Sequence, residues 1–167
     1  SALVARRWAN ASGNLKALAA LEEQATGVPL IAGNKVTLLF DGPATMREMM
    51  AAARVATSSI NLETYIFDQD KIGNEFADVL IDKQRQGVAV NVMVDAVGAL
   101  ATPAAFFDRM RQAGIRVLIF NPVNPAKARG KWELNNRNHR KLMVVDGKVA
   151  FTGGINISST YANSSLF

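Results

Sequence analysis

Cysteine is absent from the 167 residues, histidine occurs once, as His139, and no long apolar run is present. Without cysteine the chain can form no disulfide bond, thiolate metal site or thiol nucleophile. Spanning a bilayer takes roughly 18 to 20 apolar residues, and the longest candidate, Val88 to Leu100, is interrupted by Asn91 and Asp95. We therefore expect a chain that is either soluble or bound at a membrane surface.

Composition favours one globular domain with a partner that carries phosphate. Hydrophobic residues make up 49% of the chain, which is enough to enclose a core at this length. Lys and Arg total 19 against 14 Asp and Glu, and this excess suits either nucleic acid or an anionic membrane surface. The sequence begins at Ser1 without an initiator Met or a complete signal peptide, so we expect a longer protein.

Apolar periodicity and turn residues predict alternating strands and helices. A first helix is expected between a cap at Asn14 and a stop at Gly27. Further helices are predicted over residues 45–56, 73–86 and 103–112, and strands over 36–40, 60–67, 88–94, 115–120, 141–145 and 149–152. Residues 121–138 are polar and contain Pro and Gly, which predicts a surface loop. The alternation indicates the α/β class, with a mixed, largely parallel sheet sandwiched between helices.

His139 and Lys141 are the residues that indicate chemistry. They are followed by Asp146 and then by Gly153-Gly154-Ile155-Asn156. Side chains two positions apart on a strand point to one face, so imidazole and ammonium can converge on one phosphate. Imidazole can attack phosphorus, lysine supplies positive charge, and an Asn amide with nearby backbone donors can hold the non-bridging oxygens. Glycine lets the backbone come close to such a ligand.

This pattern, His-x-Lys-x4-Asp-x6-Gly-Gly-x-Asn, closely resembles the signature of the phospholipase D superfamily. The segment Ile60 to Asp68 and the strand Val90 to Asp95 also resemble the amino-terminal half of bacterial cardiolipin synthases. The resemblance divides the chain into an N-terminal helical segment, residues 1–35, and a phospholipase D-like catalytic half-domain, residues 36–167, incomplete at its C-terminus.

The resemblance also implies roles for individual residues. His139 would be the nucleophile or general acid, while Lys141 and Asn156, with Gly154, would bind the substrate phosphate. Asp146 would support the catalytic motif, and Glu63 would be a supporting carboxylate near the site. The implied reaction is phosphatidyl transfer or phosphodiester cleavage through a phosphohistidine, without a metal or other cofactor.

One motif supplies only half of the site that the family uses. The second histidine would come from a missing C-terminal half or from a homodimer, and the acidic residue that many members carry about a dozen positions after Asn156 is not found. Two alternatives therefore stay open: a single-motif nuclease acting as a homodimer, and an inactive half-domain that binds anionic membrane. We expect anionic phospholipid rather than nucleic acid as the partner, and a peripheral location at a bacterial inner membrane.

Simpler structural explanations exist for three of these features. Asp146-Gly147 is the pair that a tight hairpin turn prefers, and Glu63 could be only the polar end of a strand. The basic residues Lys127, Arg129 and Lys131 could attract an anionic surface or could belong to a solvated connector.

Overall fold

Two compact units make up the chain, Ser1–Leu38 and Leu39–Phe167. The computed structural model describes residues 12–29, 31, 33–124 and 135–162. In the first unit, helix α1 spans Gly13–Thr26. The predicted cap at Asn14 is wrong, because the side chain of Ser12 accepts the hydrogen bond from the Leu15 backbone N–H. The predicted stop at Gly27 is confirmed, since this residue is left-handed, with φ 67°, as a helix-ending glycine commonly is.

The second unit follows the predicted alternation closely. Its elements are α2 (Gly42–Arg54), β1 (Ser59–Thr64), α3 (Lys71–Arg85), β2 (Ala89–Asp95), α4 (Ala104–Gln112), β3 (Arg116–Phe120), β4 (Leu142–Val145), β5 (Val149–Thr152) and α5 (Ser159–Ala162). Two helices begin at aspartate caps, where Asp41 accepts from the Ala44 N–H and Asp70 from the Gly73 N–H. None of the described helices is both long and apolar enough to cross a bilayer.

The strands form one mixed sheet in the order β3-β2-β1-β4-β5. Strands β1, β2 and β3 are parallel and are joined through α3 and α4, whereas β4 is antiparallel to both β1 and β5. A tight turn at Asp146 and Gly147 connects β4 to β5, as predicted. The expected fold class is confirmed: a mixed sheet combined with helices. Among the named strands, two pairings are parallel and two are antiparallel.

Side-chain alternation separates a core face of the sheet from a more polar face. Ile60, Leu62 and Thr64 of β1 are buried, while Asn61 is exposed and Glu63 is half-buried. Phe67, Phe76 and Phe106 are fully buried with the helices in the same core. Because β4 runs antiparallel to β1, its first residue, Leu142, lies opposite Glu63. The carboxyl end of β1 and the residues before β4 therefore meet at one edge of the sheet.

Two predicted segments differ from the structure or fall outside it. The strand predicted at Val36 to Phe40 is wrong: these residues form no strand, and Val36 and Phe40 are 83% and 71% exposed. Their apolar alternation finds no neighbouring strand in the part of the chain that the structure describes, and a strand needs such a neighbour for its backbone hydrogen bonds. In the predicted loop 121–138, residues 125–134, which include Lys127, Arg129 and Lys131, lie outside the described residues.

Candidate active site

His139 and Lys141 lie against the same aromatic ring. The Tyr65 ring centroid is 4.6 Å from that of His139, with the two rings tilted by 56°. The Lys141 ammonium lies 5.3 Å from the same Tyr65 centroid, a cation–π distance. The imidazole and the ammonium thus both lie beside Tyr65, although His139 and Lys141 precede the first residue of β4. His139 is exposed to solvent, so a ligand can reach it.

Lys141 combines burial with a direct contact to the histidine backbone. It is 9% exposed, and its Nζ donates a 2.8 Å hydrogen bond to the His139 carbonyl oxygen. Burial lowers the pKa of the Lys141 ammonium, because removal from water penalises its charged form. The Lys141 amine is therefore held beside His139 with little access to water.

Asn156 is anchored to the segment that also carries Tyr65. It is 1% exposed, and its side-chain Oδ1 accepts hydrogen bonds from the Ile66 N–H at 3.1 Å and the Thr64 hydroxyl at 3.5 Å. These bonds orient the amide and leave its NH₂ group on the opposite branch of the side chain. The segment that follows β1 thus contacts His139 and Lys141 through Tyr65, and Asn156 through Ile66.

Gly154 lies at the same end of the β4–β5 hairpin as Lys141. Leu142 pairs with Thr152, so the residues just before β4 and just after β5 are neighbours. No heavy atom lies within 4 Å of the position that a Cβ on Gly154 would take. The structure therefore leaves open space beside this glycine.

Asp146 lies at the opposite end of β4 from His139. Its carboxylate accepts hydrogen bonds from the backbone N–H groups of Thr57, Ser58 and Ser59 at 2.8 to 2.9 Å. The Ser59, Ser58 and Thr57 N–H groups hold the pKa of Asp146 far below its usual range. The structure thus separates Asp146 from the other motif residues and joins it to the start of β1.

Glu63 approaches the residues on either side of His139. Its Oε1 accepts a hydrogen bond from the Asn138 side-chain amide and lies 3.9 Å from Nη1 of Arg140. By strand alternation its side chain leaves β1 on the face opposite to Thr64. Glu63 is therefore close to the site through Asn138 and Arg140.

Three further residues at the site, Tyr65, Asn138 and Asp95, have no role assigned from the sequence alone. Asp95 is fully buried at the end of β2, and its Oδ2 accepts a 2.8 Å hydrogen bond from the Asn138 N–H. Its Oδ1 lies 3.3 Å from Nη1 of Arg137. One signal was present in the sequence, since a carboxylate directly after a strongly apolar strand needs partners when it is buried. No feature of the sequence indicates that the Tyr65 ring contacts His139 and Lys141.

The rest of the described residues include a groove but no metal-binding cluster. No three acidic or histidine side chains there come together in a way that could hold a metal ion. A groove along α3 and α4 is lined by Asp78, Arg85 and Arg109 among others, and none of the motif residues lines it.

Known proteins resemble this chain in sequence. A family model described as "Cardiolipin synthase, PLD-like domain" matches residues 46–165. Cardiolipin synthase A of Pseudomonas syringae is 35% identical over 162 residues, which are 95% of this chain and 32% of the relative. A probable cardiolipin synthase of Bacillus subtilis, YwiE, is 36% identical over 128 residues, 77% of this chain and 25% of the relative. The chain thus spans about a quarter to a third of these relatives.

Solved structures share the fold at lower identity. Phosphatidylserine synthase of Haemophilus influenzae aligns with a TM-score of 0.66 and 21% identity, covering 85% of this chain and 33% of that one. Nuc of Salmonella typhimurium, described as a phospholipase D family member, aligns with a TM-score of 0.51 and 20% identity, covering 69% and 66%. These similarities are evidence for the fold.

Proposed function

We propose that this protein cleaves or transfers phosphodiesters through a phosphohistidine at His139. The chain belongs to the cardiolipin synthase family with a phospholipase D-like domain, and the proposal follows from that membership. The substrate is an anionic phospholipid, and the acceptor is an alcohol or water. The observation that carries this proposal is the exposed imidazole of His139 beside the buried ammonium of Lys141, both against Tyr65.

The reaction has two displacements at phosphorus. A neutral His139 nitrogen forms a bond to phosphorus while the bond to the leaving alcohol oxygen breaks, and an acid gives that oxygen its proton. In the second step an acceptor hydroxyl attacks phosphorus, the nitrogen–phosphorus bond breaks, and the acceptor proton passes to a base. Lys141 and the Asn156 amide stabilise the negative charge that builds on the non-bridging oxygens.

In this proposal the acid and base of these steps come from a second motif. The sequence contains one histidine, and a histidine bonded to phosphorus cannot protonate the leaving group at the same time. We place the second histidine in another phospholipase D-like half, either elsewhere in the protein or in a second copy. The site then lies between two halves, at the surface of an anionic membrane.

The test is to trap the covalent intermediate in the whole protein. We expect radioactive phosphate from labelled phosphatidylglycerol to remain on the protein after rapid denaturation, and His139→Ala to remove this label. Lys141→Met should lower kcat/KM on the order of 100-fold, because it deletes a positive charge at the phosphate.

Lys148 supplies the matched control for Lys141. It lies at the other end of β4, in the exposed hairpin turn, so Lys148→Met removes an equal charge without touching the site. We expect its turnover to equal that of the wild type. Full turnover in His139→Ala, or equal losses in the two lysine variants, would contradict the proposed function.

A further inference from the structure

Asn138, the residue directly before His139, uses three of its polar groups in hydrogen bonds. Its backbone N–H donates to Asp95 Oδ2 at 2.8 Å, and its side-chain NH₂ donates to Glu63 Oε1. Its side-chain Oδ1 accepts from the Arg140 N–H at 3.2 Å. Asn138 thus contacts β2 through its backbone N–H, and its side chain joins β1 to Arg140, the residue that follows the histidine.

The two carboxylates that accept hydrogen bonds from Asn138 are held in place by the sheet. Glu63 and Asp95 belong to the parallel strands β1 and β2, near their carboxyl ends, where Glu63 pairs with Met93. Asp95 is fully buried and also accepts from the Val97 N–H at 2.8 Å. The Glu63 side chain is only 15% exposed. Acceptors with so little freedom can fix the position of a donor.

The bonds of Asn138 and Lys141 together fix the backbone of His139. The bond from the Arg140 N–H to Asn138 closes a turn across His139, and Lys141 Nζ binds the His139 carbonyl at 2.8 Å. The direction of the imidazole then depends on its own side-chain rotation and on the Tyr65 ring. A nucleophile needs such restriction, since a displacement of about 1 Å can cost on the order of 100-fold in rate.

We propose that Asn138 is a positioning residue that aligns His139 for attack on phosphorus, acting between Glu63 and the Arg140 N–H; this inference rests on the proposed function. The amide is suited to this place because it donates to a carboxylate and accepts from an N–H with the same side chain. An aspartate there could still accept from Arg140 but would repel Glu63.

The experiment exploits this asymmetry in the whole protein. Asn138→Asp places two carboxylates together, and we expect kcat to fall on the order of 100-fold while KM for a short-chain phospholipid stays within about threefold. The double variant Asn138→Asp/Glu63→Gln keeps the net charge of the wild type and restores the hydrogen bond with donor and acceptor exchanged. It should regain kcat to within about tenfold of the wild type.

Asn91→Asp is the matched control on the same sheet face. The Asn91 side chain donates to Asn61 Oδ1 at 2.8 Å, away from His139, so the same substitution there should leave kcat unchanged. Thermal denaturation verifies that each variant is folded. If Asn138→Asp does not fold, the double variant decides alone, because it must fold and turn over.

Each result has a definite meaning. Two results would overturn the positioning role, provided that the wild type turns over. One is a folded Asn138→Asp variant with the kcat of the wild type, and the other is a double variant no faster than the single one. A wild type without turnover would instead defeat the proposed function, and the positioning role with it.

Discussion

At the scale of single residues, Asp146 shows how a motif residue can act through the fold. It is left-handed, with φ 53°, and its carboxylate accepts from the backbone N–H and the hydroxyl of both Thr57 and Ser58 and from the Ser59 N–H. Its own N–H donates to the Ser59 carbonyl at 2.8 Å. We interpret Asp146 as the residue that fixes the β4–β5 turn on the start of β1.

Replacing Asp146 by Asn tests this interpretation through pH. The Asn amide would turn a donor toward backbone N–H groups, and we expect Tm to fall by on the order of 5 °C at neutral pH. The pKa of the Asp146 carboxyl is lowered in the folded state, so its ionised form stabilises the fold. This stabilisation is complete above the ordinary carboxyl pKa of about 4, and it is lost as the pH falls through the lower pKa of the folded state. The Tm difference between wild type and variant should therefore shrink in acid.

Asp108→Asn is the comparison for that measurement. Asp108 forms an exposed ion pair with Arg111, 2.8 Å apart on one helix. Such pairs contribute little, so we expect a Tm change of about 1 °C or less, with no pH-dependent loss of the kind described. A pH-independent deficit in Asp146→Asn would contradict the interpretation.

Also at the residue scale, the sequence could predict only the local part of the site. His139 and Lys141, which contact the same ring, are only two positions apart, so their nearness to each other is local in sequence and could be expected from the spacing of the motif. The contact between Asn138 and Glu63 joins residues 75 positions apart, and it depends on β4 lying beside β1. That strand order is a property of the packed sheet, which local periodicity does not encode.

At the scale of elements, the segment between β1 and α3 is fastened to the segment that follows Asn156. Phe67 pairs with Ile157 in a parallel bridge, and Asp70 accepts from the Ser158 hydroxyl and the Ser159 N–H. Burial acts to raise the pKa of Asp70, but hydrogen bonds from Gly73, Ser159 and Ser158 outweigh it and lower the pKa. These contacts set the position of Asn156 relative to Tyr65.

Gly73 makes that fastening possible, because it lies in the first turn of α3 against the backbone of the same segment. A Cβ at Gly73 would lie 1.7 Å from the Asp68 carbonyl oxygen, and backbone cannot easily move away. Gly73→Ala should therefore lower Tm by on the order of 5 °C, although alanine usually favours a helix over glycine.

Gly13 provides the control at the start of α1. No heavy atom lies within 4 Å of its Cβ position, so Gly13→Ala should leave Tm unchanged or slightly raised. Calorimetry on both variants decides the matter: a Gly73→Ala protein as stable as the wild type would show that the segment 65–70 can shift without cost.

At the scale of the whole molecule, the proposed chemistry calls for a partner and for a second acid–base group. The net charge of +5 suits an anionic partner, and the exposed face of His139 leaves room for one. Two displacements at phosphorus still need a nucleophile and a separate acid, whereas the chain has one histidine. Under the proposed mechanism, we therefore expect activity to depend on the assembly of two halves.

The 167-residue chain by itself should therefore be inactive as a monomer. Light scattering coupled to gel filtration would measure its oligomeric state. We expect no detectable turnover of a soluble phosphodiester in any monomer fraction. If a dimer forms and turns over, each site would use one histidine from each copy. Adding an equal amount of His139→Ala chain should then lower turnover per wild-type chain by about half, because half of the partners lack the second histidine. Turnover by a demonstrated monomer would show that one histidine, with water or another side chain as the acid, is sufficient, and the two-histidine requirement would be wrong.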